Sequence, residues 1–170
     1  MAKFPSEPFV KESVRKYLED QKYPAIIKEF MIEGGKIDFV AYRWRDEGYG
    51  IQYFVVECKD SHDLEVRRFI DIIQKQVSRY QDRFPDVYLA IPKPAALGIE
   101  KQFYATLCKF HRVGLLIVNE GGKIEERTDP ERPAPNEVQE RMGRVDSLSA
   151  AILGFLDVFE SEPKRGPSPT

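Results

Sequence analysis

Lys36-Ile37-Asp38-Phe39-Val40-Ala41-Tyr42-Arg43 and Ile51-Gln52-Tyr53-Phe54-Val55-Val56-Glu57-Cys58-Lys59 are two strand-like stretches, rich in aromatic and β-branched residues. Between them, Asp46-Glu47-Gly48-Tyr49 reads as a polar, glycine-containing turn. Taking those four residues as the loop sets Arg45 against Gly50, and counting back sets Asp38 against Glu57. Facing residues on antiparallel strands have Cβ atoms about 4.5–5.5 Å apart, and like charges placed so destabilise the sheet unless something compensates them. A divalent cation is the natural compensator, because Mg²⁺ takes one or two carboxylates and fills its octahedron with water and phosphate oxygens. Lys59 lies two residues beyond Glu57 and so points to the same face. Two carboxylates and an ammonium at the end of a hairpin are the parts for metal-assisted attack on a phosphodiester. The plain alternative is a pair of solvated surface carboxylates, with Lys59 bridged to Glu57 or Asp60.

Outward from the hairpin, the chain reads as alternating helices and strands. Residues 8–22 are an amphipathic helix with Val10, Val14, Tyr17, Leu18 and Gln21 on one side, ended by Pro24. Residues 25–32 make a first strand, and Gly34-Gly35 turns it into the second, 36–45; the third is 51–58. Residues 64–83 read as a long helix, 86–91 as a strand, 98–111 as a helix and 113–118 as a buried strand, with an edge strand at 123–127. The order predicts an α/β fold whose mixed sheet joins an antiparallel meander to a parallel βαβ unit with a right-handed crossover. The prediction ends this domain at 128. A proline-rich linker follows over 129–144, then an amphipathic helix over 145–162 and a disordered tail over 163–170.

Asp38 with Glu57-Cys58-Lys59 resembles the D…ExK motif of the PD-(D/E)xK nuclease superfamily, the group of restriction endonucleases, archaeal Holliday-junction resolvases, RecB-like exonuclease domains and type I restriction nuclease domains. The motif falls on the right elements in the right order, over roughly residues 8–120. The proline that names the family is absent, with Ile37 before Asp38. The resemblance implies a restriction-endonuclease-like sheet flanked by helices, and Mg²⁺ or Mn²⁺ held by Asp38, Glu57 and the backbone carbonyl of Cys58. It implies an accessory glutamate from the first helix, for which Glu12 is the candidate. It also matches Gln76-x-x-x-Tyr80 to a QxxxY motif that arranges the active site and contacts DNA. Spaced i, i+4, these two side chains point the same way. A buried core tyrosine beside a surface glutamine is the simpler reading of the same pair.

Lys59 is expected to orient the attacking water or to stabilise charge developing in the transition state. His62, three residues past the motif, would touch a phosphate, and Arg68, Lys75, Arg79 and Arg83 would offer a broad basic face on the long helix. A solvated charged helix face is the default alternative for these four.

The net charge of −2 argues against indiscriminate clinging to nucleic acid. Its distribution qualifies that: residues 59–112 carry more Lys and Arg than Asp and Glu, and residues 120–170 the reverse. Cys58, Cys108, His62 and His111 lack zinc-site spacing. No apolar run reaches the roughly 20 residues of a membrane span, and Met1-Ala2-Lys3-Phe4-Pro5 lacks a signal core, so the expectation is a cytoplasmic protein without a membrane partner. The expected function is a metal-dependent DNA endonuclease, with RNA an open substrate and a homodimer suited to cutting both strands. The alternative is a nucleic-acid-binding or assembly module with little or no catalysis.

Overall fold

β1 (Ala25–Ile32), β2 (Gly35–Trp44) and β3 (Ile51–Cys58) form the antiparallel meander that the sequence predicts. The computed structural model describes residues 2–44 and 50–131. The β1–β2 turn is Glu33-Gly34, because Ile32 faces Gly35, so Gly35 opens β2 instead of sharing the turn. Gly34 has φ +82°, a conformation that L side chains rarely adopt. β2 and β3 pair from Trp44 opposite Ile51 to Phe39 opposite Val56, and one further step brings Asp38 against Glu57. The expected facing of Arg45 and Gly50 falls outside the described residues.

β4 (Val87–Pro92) runs parallel to β3, β5 (Gly114–Val118) parallel to β4, and β6 (Ile124–Thr128) closes the sheet antiparallel to β5. The strand order is β1-β2-β3-β4-β5-β6, so each strand sits beside its sequence neighbour in one mixed sheet. β4 and β5 are buried along their whole length, which explains their nearly continuous apolar sequence.

α1 (Glu7–Asp20) starts at Ser6, whose hydroxyl accepts from the Phe9 N–H (3.4 Å), with a proline in the first turn. It ends before Lys22, which takes φ +59° and turns the chain toward Pro24. Val10, Val14 and Leu18, one helical face, pack on Phe39, Ala41, Phe54, Val56, Cys58, Tyr88, Ala90, Leu116 and Val118. Full burial of a side chain of this kind contributes about 1.5–3 kcal/mol. Gln21, expected on that face, is instead the exposed residue that caps the helix. Gly114 has its own reason here: a Cβ at this position would fall 2.3 Å from the Tyr88 ring, so only glycine lets that ring lie across β5. The ring then stacks on Phe54 at 4.2 Å.

The opposite face is covered by the long helix. It begins after a single 3₁₀ turn, His62–Leu64, and divides into α2 (Val66–Asp71), a π-helical segment, Ile72–Val77, and α3 (Ser78–Gln81). The regular helix predicted over 64–83 is thus interrupted, and faces counted at 3.6 residues per turn do not carry across the interruption. α4 (Gln102–Phe110) starts later than the predicted residue 98, because Pro94–Leu97 form a 3₁₀ turn that ends on Gly98 at φ +71°. Phe69 meets Tyr104 edge to face at 4.9 Å, tying α2 to α4.

The described residues fall within one compact unit. None of their helices is long and apolar enough to cross a membrane. The linker from 132 onward, the helix expected at 145–162 and the tail at 163–170 lie outside the described residues.

Candidate metal centre

The end of the β2–β3 hairpin is where burial and charge conflict. Asp38 and Glu57 project side by side because their strands are in register, and both carboxylates are almost fully enclosed, with side-chain exposures of 8% and 4%. Backbone amides cross-brace them: Asp38 N–H donates to Glu57 Oε1 (3.2 Å) and Cys58 N–H to Asp38 Oδ2 (2.7 Å). Burial, and then the neighbouring Asp38 carboxylate, push the Glu57 carboxyl up to about 8, with Lys59 acting in the other direction.

Lys59 reaches back over the pair from the end of β3. Its ammonium lies 2.7 Å from Gln76 Oε1 and 3.4 Å from Glu57 Oε2 and is largely enclosed. Gln76 sits in the π-helical segment, a distortion frequent at functional sites. Its amide accepts from Lys59 through Oε1, while Nε2 donates to Glu57 Oε2 and to Tyr80 Oη (2.9 Å). The Tyr80 hydroxyl lies 3.0 Å from the Lys36 carbonyl and 3.2 Å from Glu57 Oε2. Burial, then Glu57, hold that phenol protonated well above its ordinary range. The five residues Asp38, Glu57, Lys59, Gln76 and Tyr80 therefore form one connected network.

The remaining candidates lie farther from it. Cys58 sends its side chain into the apolar cluster under α1, and burial raises its thiol, so only its backbone is available to the site. Glu12 is exposed and paired with Lys16 (3.6 Å), on the wall of a groove beside Asp38. His62 is exposed in the 3₁₀ turn. Three of the four cations expected on one basic face have partners of their own. Arg68 binds Asp63 (2.7 Å), Lys75 binds Asp71 (3.5 Å), and Arg79 donates to the Gly34 carbonyl at the β1–β2 turn. Arg83 is exposed just beyond α3.

Two features have no counterpart in the sequence reading. Lys11 of α1 places its ammonium 3.3 Å from Asp38 Oδ1 and 3.4 Å from Glu7. Its pKa is raised: burial works against this, but the Asp38 and Glu7 carboxylates outweigh it. Glu29, the β1 residue that the register sets beside Asp38, has φ +54°. A non-glycine residue in that region costs about 1–3 kcal/mol and clusters at functional sites. No local sequence signal marks either.

Among the described residues, no group of three or more His, Cys, Asp and Glu side chains gathers as a metal site. The donor set at the hairpin end still fits Mg²⁺ or Mn²⁺. These ions take one or two carboxylates and keep several waters, and Asp38 and Glu57 are two adjacent carboxylates whose proximity pushes one of them to hold a proton, which a bound cation would release. Comparison with family models, with curated proteins and with solved structures gives no match.

Proposed function

We infer that the chain is a Mg²⁺- or Mn²⁺-dependent nuclease of the PD-(D/E)xK type, built on a restriction-endonuclease-like sheet and hydrolysing phosphodiester bonds of DNA. One observation carries this reading: two carboxylates are buried face to face, with an ammonium held beside Glu57 by a glutamine. As a purely structural arrangement it is costly, because burial and the neighbouring Asp38 push the Glu57 carboxyl to hold a proton. As a site, it has the charge and the donors for a divalent ion and a phosphate.

In this reading Asp38 and Glu57 hold the ion, and the Cys58 carbonyl is the further oxygen that the family resemblance implies. A bound ion lowers the pKa of a water and offsets charge on the scissile phosphate. Lys59 orients the attacking water or stabilises the developing negative charge, and its short contact to Gln76 fixes where the ammonium points. Gln76 and Tyr80 brace Glu57 Oε2, so that the carboxylate does not turn away from the site. The resemblance favours DNA over RNA and suits a homodimer for duplex cleavage.

The test is a cleavage assay with Mg²⁺ or Mn²⁺ on single-stranded DNA, linear and circular duplex, flaps, four-way junctions and RNA, with Asp38→Ala and Lys59→Ala alongside. Metal-dependent cutting that both substitutions abolish is the expected result. Absence of cutting on every substrate, or equal cutting by the variants, would leave a binding or assembly module in its place.

A further inference from the structure

The Asp38 carboxylate divides its two oxygens between unlike partners. Oδ2 accepts from the Cys58 backbone N–H, a fixture of the strand. Oδ1 faces the ammonium of Lys11, 3.3 Å away, at the end of a side chain that is about one-third exposed, at 36%. A lysine head on its four-carbon stem is a movable point charge. It has a second place to go, since Glu7 lies one turn back on α1 at 3.4 Å. Lys11 also borders a groove of about 280 Å³ that opens beside Asp38. Lys28 and Arg15, the latter bonded to Glu19 at 2.7 Å, line the same groove, while its carboxylates Glu12 and Glu29 are each paired with a lysine, Lys16 at 3.6 Å and Lys36 at 3.2 Å.

We propose that Lys11 is a displaceable counter-cation of the site, which holds Asp38 until a phosphate in the groove draws the ammonium away, so that ion loading and phosphate binding are coupled. This rests on the metal reading given above. An ammonium at Oδ1 and a divalent ion on the same carboxylate repel each other, so the ion binds weakly while Lys11 stays in place. A phosphate offers the ammonium a new partner and frees the oxygen. Coupling of this kind is reciprocal: whatever factor the phosphate adds to ion affinity, the ion adds to phosphate affinity. Metal bound without substrate is thereby disfavoured, and the assembled site forms when a phosphodiester is present.

Calorimetric titration of Mn²⁺ into the full chain, with and without thymidine 3′,5′-bisphosphate as a phosphate donor lacking a scissile bond, tests this without reference to turnover. Lys11→Met, which keeps the packing of the stem, is expected to bind Mn²⁺ about five- to tenfold more tightly than the wild type without the bisphosphate, and to gain less from its addition. Glu7→Gln, which leaves Lys11 to Asp38 alone, is expected to weaken Mn²⁺ binding. Lys109→Met removes the same charge from the exposed side of α4, outside the groove, and is expected to leave the affinity near the wild-type value. Equal affinity in wild type and Lys11→Met, or an equal gain in Lys109→Met, would overturn the role of Lys11 while leaving the metal site standing. Failure of every protein to bind Mn²⁺, or undiminished binding by Asp38→Asn, would overturn the metal reading and this inference with it.

Discussion

Asp38 with Glu57 and Arg127 with Asp129 are two charged clusters on one sheet, and they are compensated in different ways. At the β6 end, Arg127 spreads over the Phe54 and Tyr88 rings at 4.8 and 5.4 Å. It donates to Asp129 (2.7 Å), to the Tyr17 hydroxyl (2.8 Å) and to the Tyr88 hydroxyl (3.3 Å). Opposite charges meet there, and the Asp129 carboxyl is held below its ordinary range by hydrogen bonds from Tyr88 and Arg127. At the hairpin end, two carboxylates meet, and Glu57 is driven the other way. The first cluster is complete within the chain. In the second, one of two adjacent carboxylates is pushed to hold a proton even with Lys11 and Lys59 drawn toward the pair, and strong shifts of this kind recur at functional sites.

The contrast is tested most severely at the chemistry. Lys59→Ala is expected to lower single-turnover cleavage by about 10²–10³-fold, the range for losing one preorganised group at developing charge, and Asp38→Ala by at least as much. If cleavage survived both, the hairpin cluster would be as self-contained as the Arg127 cluster.

A second test uses pH. In the unfolded chain Glu57 titrates near 4.5, and in the folded, metal-free chain near 8. Below about 4.5 both states carry the proton, and the folded state keeps its full advantage. As pH rises from there, the unfolded state releases a proton that the folded state retains, so stability falls. The contribution is lost once pH passes the folded value of about 8. Urea melts of metal-free wild type against Glu57→Gln should therefore show the wild type losing ground across that window. A constant difference between the two proteins would mean that Glu57 is not held neutral.

A smaller effect separates the carboxylates from their braces. Gln76→Ala removes one partner each from Lys59 and from Glu57 Oε2, and Tyr80→Phe removes one hydroxyl while keeping the ring in the core. Loss of such an outer partner typically weakens metal binding about 10–100-fold. Mn²⁺ titration should place Gln76→Ala within that range and Tyr80→Phe nearer its lower end. An unchanged affinity in Gln76→Ala would make the network a packing feature.

What the sequence discloses and what it hides divide along the range of the interactions. The facing of Asp38 and Glu57 is legible because side chains alternate strictly along strands, so one loop length sets the whole register. The approach of Gln76 and Tyr80 to each other is legible as a spacing within one helix, although the π-helical segment that carries Gln76 is not. Lys11 is different. The apolar face of α1 can be counted from Val10, Val14 and Leu18, but whether a lysine at the rim of that face reaches Asp38 depends on how far the helix lies over β2. The Arg127 cluster has the same character: its bond to Tyr17 spans 110 residues, and Glu125-Glu126-Arg127 reads by itself as an ordinary charged edge strand. Of the partners taken by the expected basic face, Asp71 lies i, i+4 from Lys75 as helical spacing anticipates, whereas Asp63 for Arg68 and the Gly34 carbonyl for Arg79 are not legible from spacing within the helix.

Arg127→Met gives the smallest expected effect and the cleanest control on the contrast. Methionine keeps apolar contact with Phe54 and Tyr88 but loses the cation over their rings and the hydrogen bonds to Asp129, Tyr17 and Tyr88. The guanidinium is one-third exposed, so its pairing with Asp129 is screened by water and contributes little by itself. Cation–π contacts at such sites are worth about 0.5–1 kcal/mol each, which sets the expected destabilisation at about 1–2 kcal/mol, read as a modest fall in Tm. Mn²⁺ affinity and cleavage per folded molecule should not move, because none of these partners touches Asp38, Glu57 or Lys59. If ion binding weakened together with Tm, the shared strand β3, which carries Phe54 at one position and Glu57 three residues on, would be transmitting strain between the two clusters, and the separation drawn between them would fail.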